Sequence, residues 1–185
     1  MVIKNKFFKR WIQNTGFTLI ELLVVIAILG VLAGSILVAI NPIEQLARSR
    51  DAARKSTISQ LGNAVQAYYT SQGSFPTEGN SWMTTGSGSG GTSGLVAAGE
   101  LKSAPSAVTP PCGNTALAEN GYCYDDNGTD AVIYALGESI SEKTRASCAA
   151  GYVLWIVWSS AEGKTGAVCK ANASTYPQPG ETGLK

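Results

Sequence analysis

Apolar and polar positions divide the chain into three regimes. The first is a nearly unbroken apolar run from Phe17 to Ile40, 24 residues that carry one charge, Glu21. As a helix such a run spans about 36 Å, enough to cross a hydrocarbon layer of about 30 Å. The second regime runs from Asn41 to about Gly73. Here Ile43, Leu46 and Ala47, then Ile58, Leu61, Val65 and Tyr68 or Tyr69, recur at helical spacing among polar residues and define a stripe that faces a sheet. Its start is written in Asn41-Pro42-Ile43-Glu44: Asn is a good N-cap, Pro is tolerated at the first helical position, and Glu44 can reach back as in a capping box. A bend is therefore expected near Asn41. Gly73, with Pro76 soon after, reads as the stop, which gives about 80 Å of helix from Phe17 if nearly continuous.

The third regime is loop-rich and strand-bearing. Ser81 to Gly94, with the run GSGSGGTSG over 86–94, is too polar and glycine-rich to pack and is expected to be an exposed flexible loop. Leu95 to Leu101 reads as a short helix or turn, halted by Pro105 and again by Pro110-Pro111. Asn127-Gly128 lies between the aromatic and β-branched runs Gly121–Tyr124 and Ala131–Leu136, a hairpin signal. Tyr152 to Ser159 is the most strand-like run and is expected to be the central strand. Glu162 to Gly166 then turns into a last strand over Ala167 to Lys170, and Asn172 to Lys185 reads as a loosely ordered polar tail. The fold class expected is α+β, with a small antiparallel sheet of three or four strands packed on the outer half of a long N-terminal helix. The segments are a leader (1–16), a membrane helix (17–40), the outer helical half (41–73) and a β-rich head (74–185).

Charge adds an orientation. Lys4, Lys6, Lys9 and Arg10 put four positive charges and no acid before Gly16, and positive charge stays cytoplasmic, so the head is expected outside. Without the leader, ten basic residues face thirteen acidic ones, a net charge of −3, and no basic body remains to argue for nucleic acid. An ordinary signal peptide with a small-residue site at Ala33-Gly34-Ser35 is the alternative, but its apolar core would be shorter than this run. Arg48, Arg50, Asp51, Arg54 and Lys55 cluster just beyond the apolar run. They read as a solvated helix face, with contacts to anionic headgroups or acidic neighbours as the alternative.

The four cysteines, Cys112, Cys123, Cys148 and Cys169, all lie in the C-terminal half. An even number beyond a membrane helix, with no CxxC pair and no histidine, points to two disulfides in an oxidising compartment rather than a zinc site. Three pairings are open. The short loops favour Cys112 with Cys123 and Cys148 with Cys169.

Candidate chemistry is sparse. The absence of histidine removes the commonest general base and any Ser-His or Cys-His pair, and no GxSxG, SxxK, GxxxxGK or GxGxxG motif suggests a nucleophile, a phosphate site or a cofactor. Asp125, Asp126 and Asp130 raise a calcium reading, but the spacing departs from an EF-hand, and a solvated turn is the alternative. Gly30 and Gly34 form a small-xxx-small pair that lets two helices approach closely, although glycine is also common in membrane helices. Glu21 is the oddity, because an acid inside a bilayer costs on the order of a few kcal/mol and survives where something pairs with it.

Gly16-Phe17-Thr18-Leu19-Ile20-Glu21, after a basic leader and before an apolar helix, resembles the processing signature of prepilins, the superfamily of type IV pilins and pseudopilins. The resemblance covers roughly Met1 to Pro76. It implies a structural subunit of a type IV pilus or pilus-like surface filament, or alternatively a pseudopilin of a type II secretion or DNA-uptake machine, and no enzyme. It implies cleavage after Gly16 by a prepilin peptidase, N-methylation of Phe17, and pairing of Glu21 with the Phe17 ammonium of a neighbouring subunit in a helical homopolymer. An assembly platform and motor are the further partners implied, with a cytoplasmic-membrane precursor that becomes a cell-surface filament. It also implies local unwinding in the region of Gly30 to Pro42, although Pro42 comes about one turn later than the family's common proline.

Overall fold

The computed structural model describes residues 16–79, 81–85 and 94–185, so the basic leader before Gly16 and the Gly/Ser run over 86–93 lie outside the described residues. The chain divides into two units, residues 1–42 and 43–185.

The first unit holds α1 (Leu19–Ile40), whose described side chains are all exposed. A helix so rich in Val and Ile has modest propensity in water. In hydrocarbon the same helix is favoured, because every backbone N–H and C=O is satisfied within it. Gly30 and Gly34 stay inside the helix. The ladder breaks at Asn41, which adopts a left-handed conformation (φ 46°, ψ 76°), so the interruption comes after the glycines and beside Pro42.

The second unit is built from α2 (Pro42–Gln72) and a five-stranded antiparallel sheet. Gly73 ends α2 at φ 75° with its N–H donating to Tyr69 O (2.9 Å), a left-handed cap that glycine adopts without strain. The strands are β1 (Ala118–Glu119), β2 (Tyr122–Asp126), β3 (Ala131–Leu136), β4 (Val153–Ser159) and β5 (Lys164–Lys170), with a short helix α3 (Ile140–Arg145) between β3 and β4. Their order is the order of the chain, each strand beside the next, so short turns suffice except between β3 and β4, where α3 intervenes. One more strand is present than the upper expectation, because Asn120 and Gly121 (φ 53° and 83°) turn the two-residue β1 onto β2. Tyr152 falls just outside β4, and β5 starts at Lys164, three residues before the expected strand.

Register sorts the side chains into two faces. Tyr124, Ile133 and Trp158 lie opposite one another across β2, β3 and β4, and pack with Ile58, Leu61, Val65 and Tyr68 of α2. Cys123, Tyr134 and Val157 form the next row and point away, into a second core with Val132, Trp155 and Leu184. A sheet with only one face on a helix would leave that second row in water. The C-terminal segment covers it: the Tyr176 ring lies 6.0 Å from that of Tyr134 and 5.8 Å from that of Trp155, and Leu184 is buried. Lys185 exchanges two backbone hydrogen bonds with Ala167 (2.8 and 3.1 Å), and Lys170 Nζ donates to both Glu181 oxygens (2.7 and 2.8 Å). The expected loose tail is therefore a packed strap.

Two further expectations are corrected. Trp82 and Met83, within the stretch expected to be too polar to pack, are fully buried, with the Trp82 ring stacked on Tyr124 at 4.9 Å. The buried stripe of α2 begins at Ala47, and Ile43 and Leu46 are exposed.

Candidate functional site

The N-terminal site sits where extended chain becomes helix. Gly16, Phe17 and Thr18 precede α1, and Thr18 is its N-cap in extended conformation (φ −79°, ψ 150°). Glu21 N–H donates to Thr18 Oγ1 (3.3 Å), while the Thr18 N–H (2.9 Å) and hydroxyl (2.8 Å) both donate to Glu21 Oε2. This is a capping box, in which the first-turn orphan donors are satisfied reciprocally and the carboxylate lies at the positive end of the helix dipole. Glu21 sits in a shallow open groove with Phe17, Ile20, Val24 and Val25. The Thr18-x-x-Glu21 spacing is itself the sequence signature of this box, so Thr18 was legible beside Glu21.

The glycines here are not explained by packing within the chain. A Cβ built on Gly16, Gly30 or Gly34 meets nothing within 4 Å, and none of the three has a left-handed backbone. Leu19 to Ile36 is long and apolar enough to cross a bilayer, with a mean hydropathy of 2.7 and none of it buried.

In the head, Cys112 bonds to Cys123 and Cys148 to Cys169. The first bridge ties the loop before β1 to β2 under the strap, and the second ties the end of α3 to β5. The carboxylates of the β2–β3 turn hold the turn itself. Asp126 Oδ1 accepts from Gly128 N–H (3.1 Å), and Asp130 Oδ1 accepts from the Ser160 hydroxyl (3.2 Å). Among the described residues no cluster of three or more Asp, Glu, His or Cys side chains is arranged to hold a metal ion. Asp125 turns instead toward Glu78; burial lifts both carboxyls above their ordinary range, and each is the other's hydrogen-bond partner.

An ionic cluster occupies the place where a solvated helix face was expected. Asp51 and Arg54 are each only 2% exposed. Arg54 donates to Asp51 Oδ1 (2.9 Å), to Thr109 O (2.6 Å) and to Glu138 Oε1, and Arg50 donates twice to Glu138 Oε2 (3.0 and 2.6 Å). Asp51 also accepts the N–H of Glu138 (3.0 Å to each oxygen) and of Ser139 (2.7 Å). The cluster locks the β3–α3 connection to α2. Burial pushes the Glu138 carboxyl up, and the Arg50 and Arg54 guanidiniums more than reverse this, leaving it below the usual range. About two turns earlier, Glu44 accepts the N–H groups of Ser141 (3.0 Å) and Ile140 (3.1 Å), which hold its pKa down at about 2. Lys55 is partly exposed, and Arg48 reaches Glu44 at 3.2 Å.

An apolar N-terminal helix, a long second helix and a five-stranded antiparallel sheet make an α+β, pilin-like layout. Residues 12–37 match the family described as the prokaryotic N-terminal methylation motif, the signature of type IV pilins and pseudopilins. The match spans the Gly16–Phe17 junction, the capping box and most of α1. No curated protein and no solved structure matches the chain.

Proposed function

We propose that this chain is a structural subunit of a type IV pilus or pilus-like surface filament, made as a membrane-anchored precursor with its head outside. In this reading a prepilin peptidase cuts after Gly16, the new amino terminus at Phe17 is N-methylated, and an assembly platform and motor move the subunit into a helical homopolymer. The observation that carries it is the methylation motif at 12–37, a motif that marks structural pilin-type proteins. The surroundings of Gly16 support it. Neither packing nor backbone conformation among the described residues calls for glycine there, which fits a requirement set by something that reads the site from outside. Gly30 and Gly34 likewise offer an open face to a partner helix.

Cleavage creates an ammonium where there was an amide. Glu21 is preset to receive one: both Thr18 bonds fall on Oε2, and Oε1 has no hydrogen-bond partner among the described residues. Pairing with the Phe17 ammonium of an adjacent subunit converts an isolated carboxylate into an ion pair and sets the register of the polymer. Hydrocarbon is as apolar as Leu or Ile, so packing and the ion pair, rather than the hydrophobic effect, distinguish filament from lipid.

Glu21→Ala is expected to leave cleavage and the head intact while abolishing or misordering assembly. The uncompensated amine costs roughly 3–5 kcal/mol by analogy with broken buried pairs, and the penalty recurs at every subunit. Mass spectrometry of the wild-type chain, sheared from cells, should give an N-methylated terminus at Phe17. Normal filaments from Glu21→Ala alone overturn the register role, and a mature chain that starts at Ser35 overturns the whole reading. A pseudopilin of a secretion or DNA-uptake machine shares these N-terminal parts, and shearing separates the two, because a surface filament releases the chain into the medium.

A further inference from the structure

Among the described residues of the head, three large aliphatic side chains are exposed: Ile43 (76% exposed), Leu46 (59%) and Ile140 (67%). All three lie at one end of the head: Ile43 and Leu46 are one turn apart at the start of α2, and Glu44, on an adjoining face of that first turn, accepts the N–H of Ile140 at 3.1 Å, which brings the start of α3 to the start of α2. Ile43 also follows Ile40, the end of the apolar run, by three residues, a reach of no more than about 10 Å in any conformation. The exposed aliphatic patch of the head is therefore tethered at the point where the chain leaves the membrane.

We propose that Ile43, Leu46 and Ile140 form an apolar foot that seats the head in the interfacial layer of the bilayer while the subunit is membrane-anchored, which rests on the precursor reading above. A lipid surface suits the patch better than a second protein. Three side chains fall far short of the roughly 800 Å² per partner that a stable protein interface buries, whereas an already anchored head needs no such area to stay in place. Interfacial segments insert shallowly through such residues. The foot works through its aliphatic groups: Arg48 is engaged by Glu44, and Arg50 and Arg54 by Glu138 and Asp51, while Lys143 lies one turn from Ile140 on α3, so comparing neutral with anionic lipid separates aliphatic seating from attraction of that lysine.

The test places a nitroxide amino acid at Ile140 of the full-length precursor by genetic encoding, so that both disulfides stay intact. A second label at Gln66, exposed and about 35 Å further along α2, serves as the reference. The chain is reconstituted in phosphatidylcholine vesicles, and in phosphatidylcholine with phosphatidylglycerol. Collision rates are measured with oxygen, which partitions into lipid, and with a nickel chelate, which stays in water. The expected result is an oxygen-to-nickel ratio several-fold higher at Ile140 than at Gln66 in both lipids, falling toward the reference in Ile43→Ser/Leu46→Ser. Equal ratios at the two labels overturn the foot. So does an Ile140 label shielded from both reagents whose spectrum sharpens on dilution with unlabelled chain, because a second copy then covers the patch. Vesicle flotation reports the anchor separately: a chain that does not float sinks the precursor reading, and one that floats with an aqueous Ile140 sinks only the foot.

Discussion

The apolar run of α1 and the apolar strands of the head are similar in composition and opposite in circumstance. β3 and β4 (AVIYAL and VLWIVWS) bury both faces, one against α2 and one under the C-terminal strap. α1 buries nothing in its described length. The glycines divide the same way: Gly34 has open space around it, whereas a Cβ on Gly62 of α2 falls 2.4–2.5 Å from the Trp158 ring. So do the charges. Glu21 is held by its own N-cap three residues away, whereas Asp51 and Arg54 are held by Thr109 and the β3–α3 connection. The head packs most of its apolar side chains and pairs its buried charges within the chain. α1 is satisfied only as far as its backbone and first turn, and its described apolar side chains pack on nothing among the described residues.

The largest break in that contrast is expected at Arg54. Arg54→Met keeps much of the aliphatic volume but removes the guanidinium that neutralises Asp51 and Glu138. Breaking a buried pair costs roughly 3–5 kcal/mol, which lowers the unfolding midpoint by on the order of 10 °C for a chain of this size. Calorimetry of the detergent-solubilised chain checks this, with Glu21→Ala as the comparison, since that variant should leave the midpoint of the head in place. An Arg54→Met midpoint equal to wild type means the cluster is solvated and does not fasten α3 to α2.

That cluster also marks the boundary of what the sequence made legible. The long apolar helix, the Gly73 stop and the Asn127-Gly128 hairpin are written in local signals: a nearly uninterrupted apolar run, a left-handed cap, a turn dipeptide. The N-terminal site is equally local, because Thr18 and Glu21 are one turn apart. Asp51 and Arg54 were not recoverable from the run RSRDAARK, whose charges read as a wet face, because the partners lie far along the chain, Glu138 at 84 residues from Arg54. One hint was present: both residues fall on the same helical stripe as Ala47 and Ile58. The strap was hidden for a similar reason. Tyr176 and Leu184 are two apolar residues in a polar segment, too few for a periodic signal, and only the uncovered second face of the sheet gives them a role. Trp82 and Met83 are likewise two large apolar residues beside a glycine-rich run, and the ring on which Trp82 stacks, Tyr124, lies far along the chain.

A pair of glycine substitutions sharpens the contrast at intermediate size. Gly62→Ala places a methyl against the Trp158 indole, which has no freedom to retreat inside the core. Overpacking of this kind costs about 1–3 kcal/mol and outweighs the roughly 1 kcal/mol gained in helix propensity. Gly34→Ala gains the same propensity with nothing to collide with inside the subunit. The head of Gly34→Ala should unfold at the wild-type midpoint in detergent, while Gly62→Ala unfolds earlier. If Gly34→Ala then assembles normally, close helix approach at Gly34 plays no part in the filament.

The smallest effect is confined to acid and belongs to Glu44. Its pKa is held at about 2 against an ordinary value of 4.5, mainly by the N–H groups of Ser141 and Ile140. Between those values the unfolded chain takes up a proton that the folded chain does not, so stability rises with pH across this window. The contribution is therefore complete above about pH 4.5 and is lost as pH falls toward about 2. Glu138, also lowered, acts in the same direction. Glu78, Asp125 and Asp126 have the opposite sign: burial first of all raises each of them, so the folded state holds protons longer and their effect erodes stability as pH rises through their folded values. Glu44→Gln keeps an acceptor for one N–H and deletes the titration. Its denaturation midpoint should lie below that of wild type at about pH 6, and the gap should close toward about pH 3, where the wild-type chain has lost part of the benefit. A gap that stays constant over that range shows that Glu44 acts on α3 through shape alone, and that the acid limb of the head belongs to Glu138.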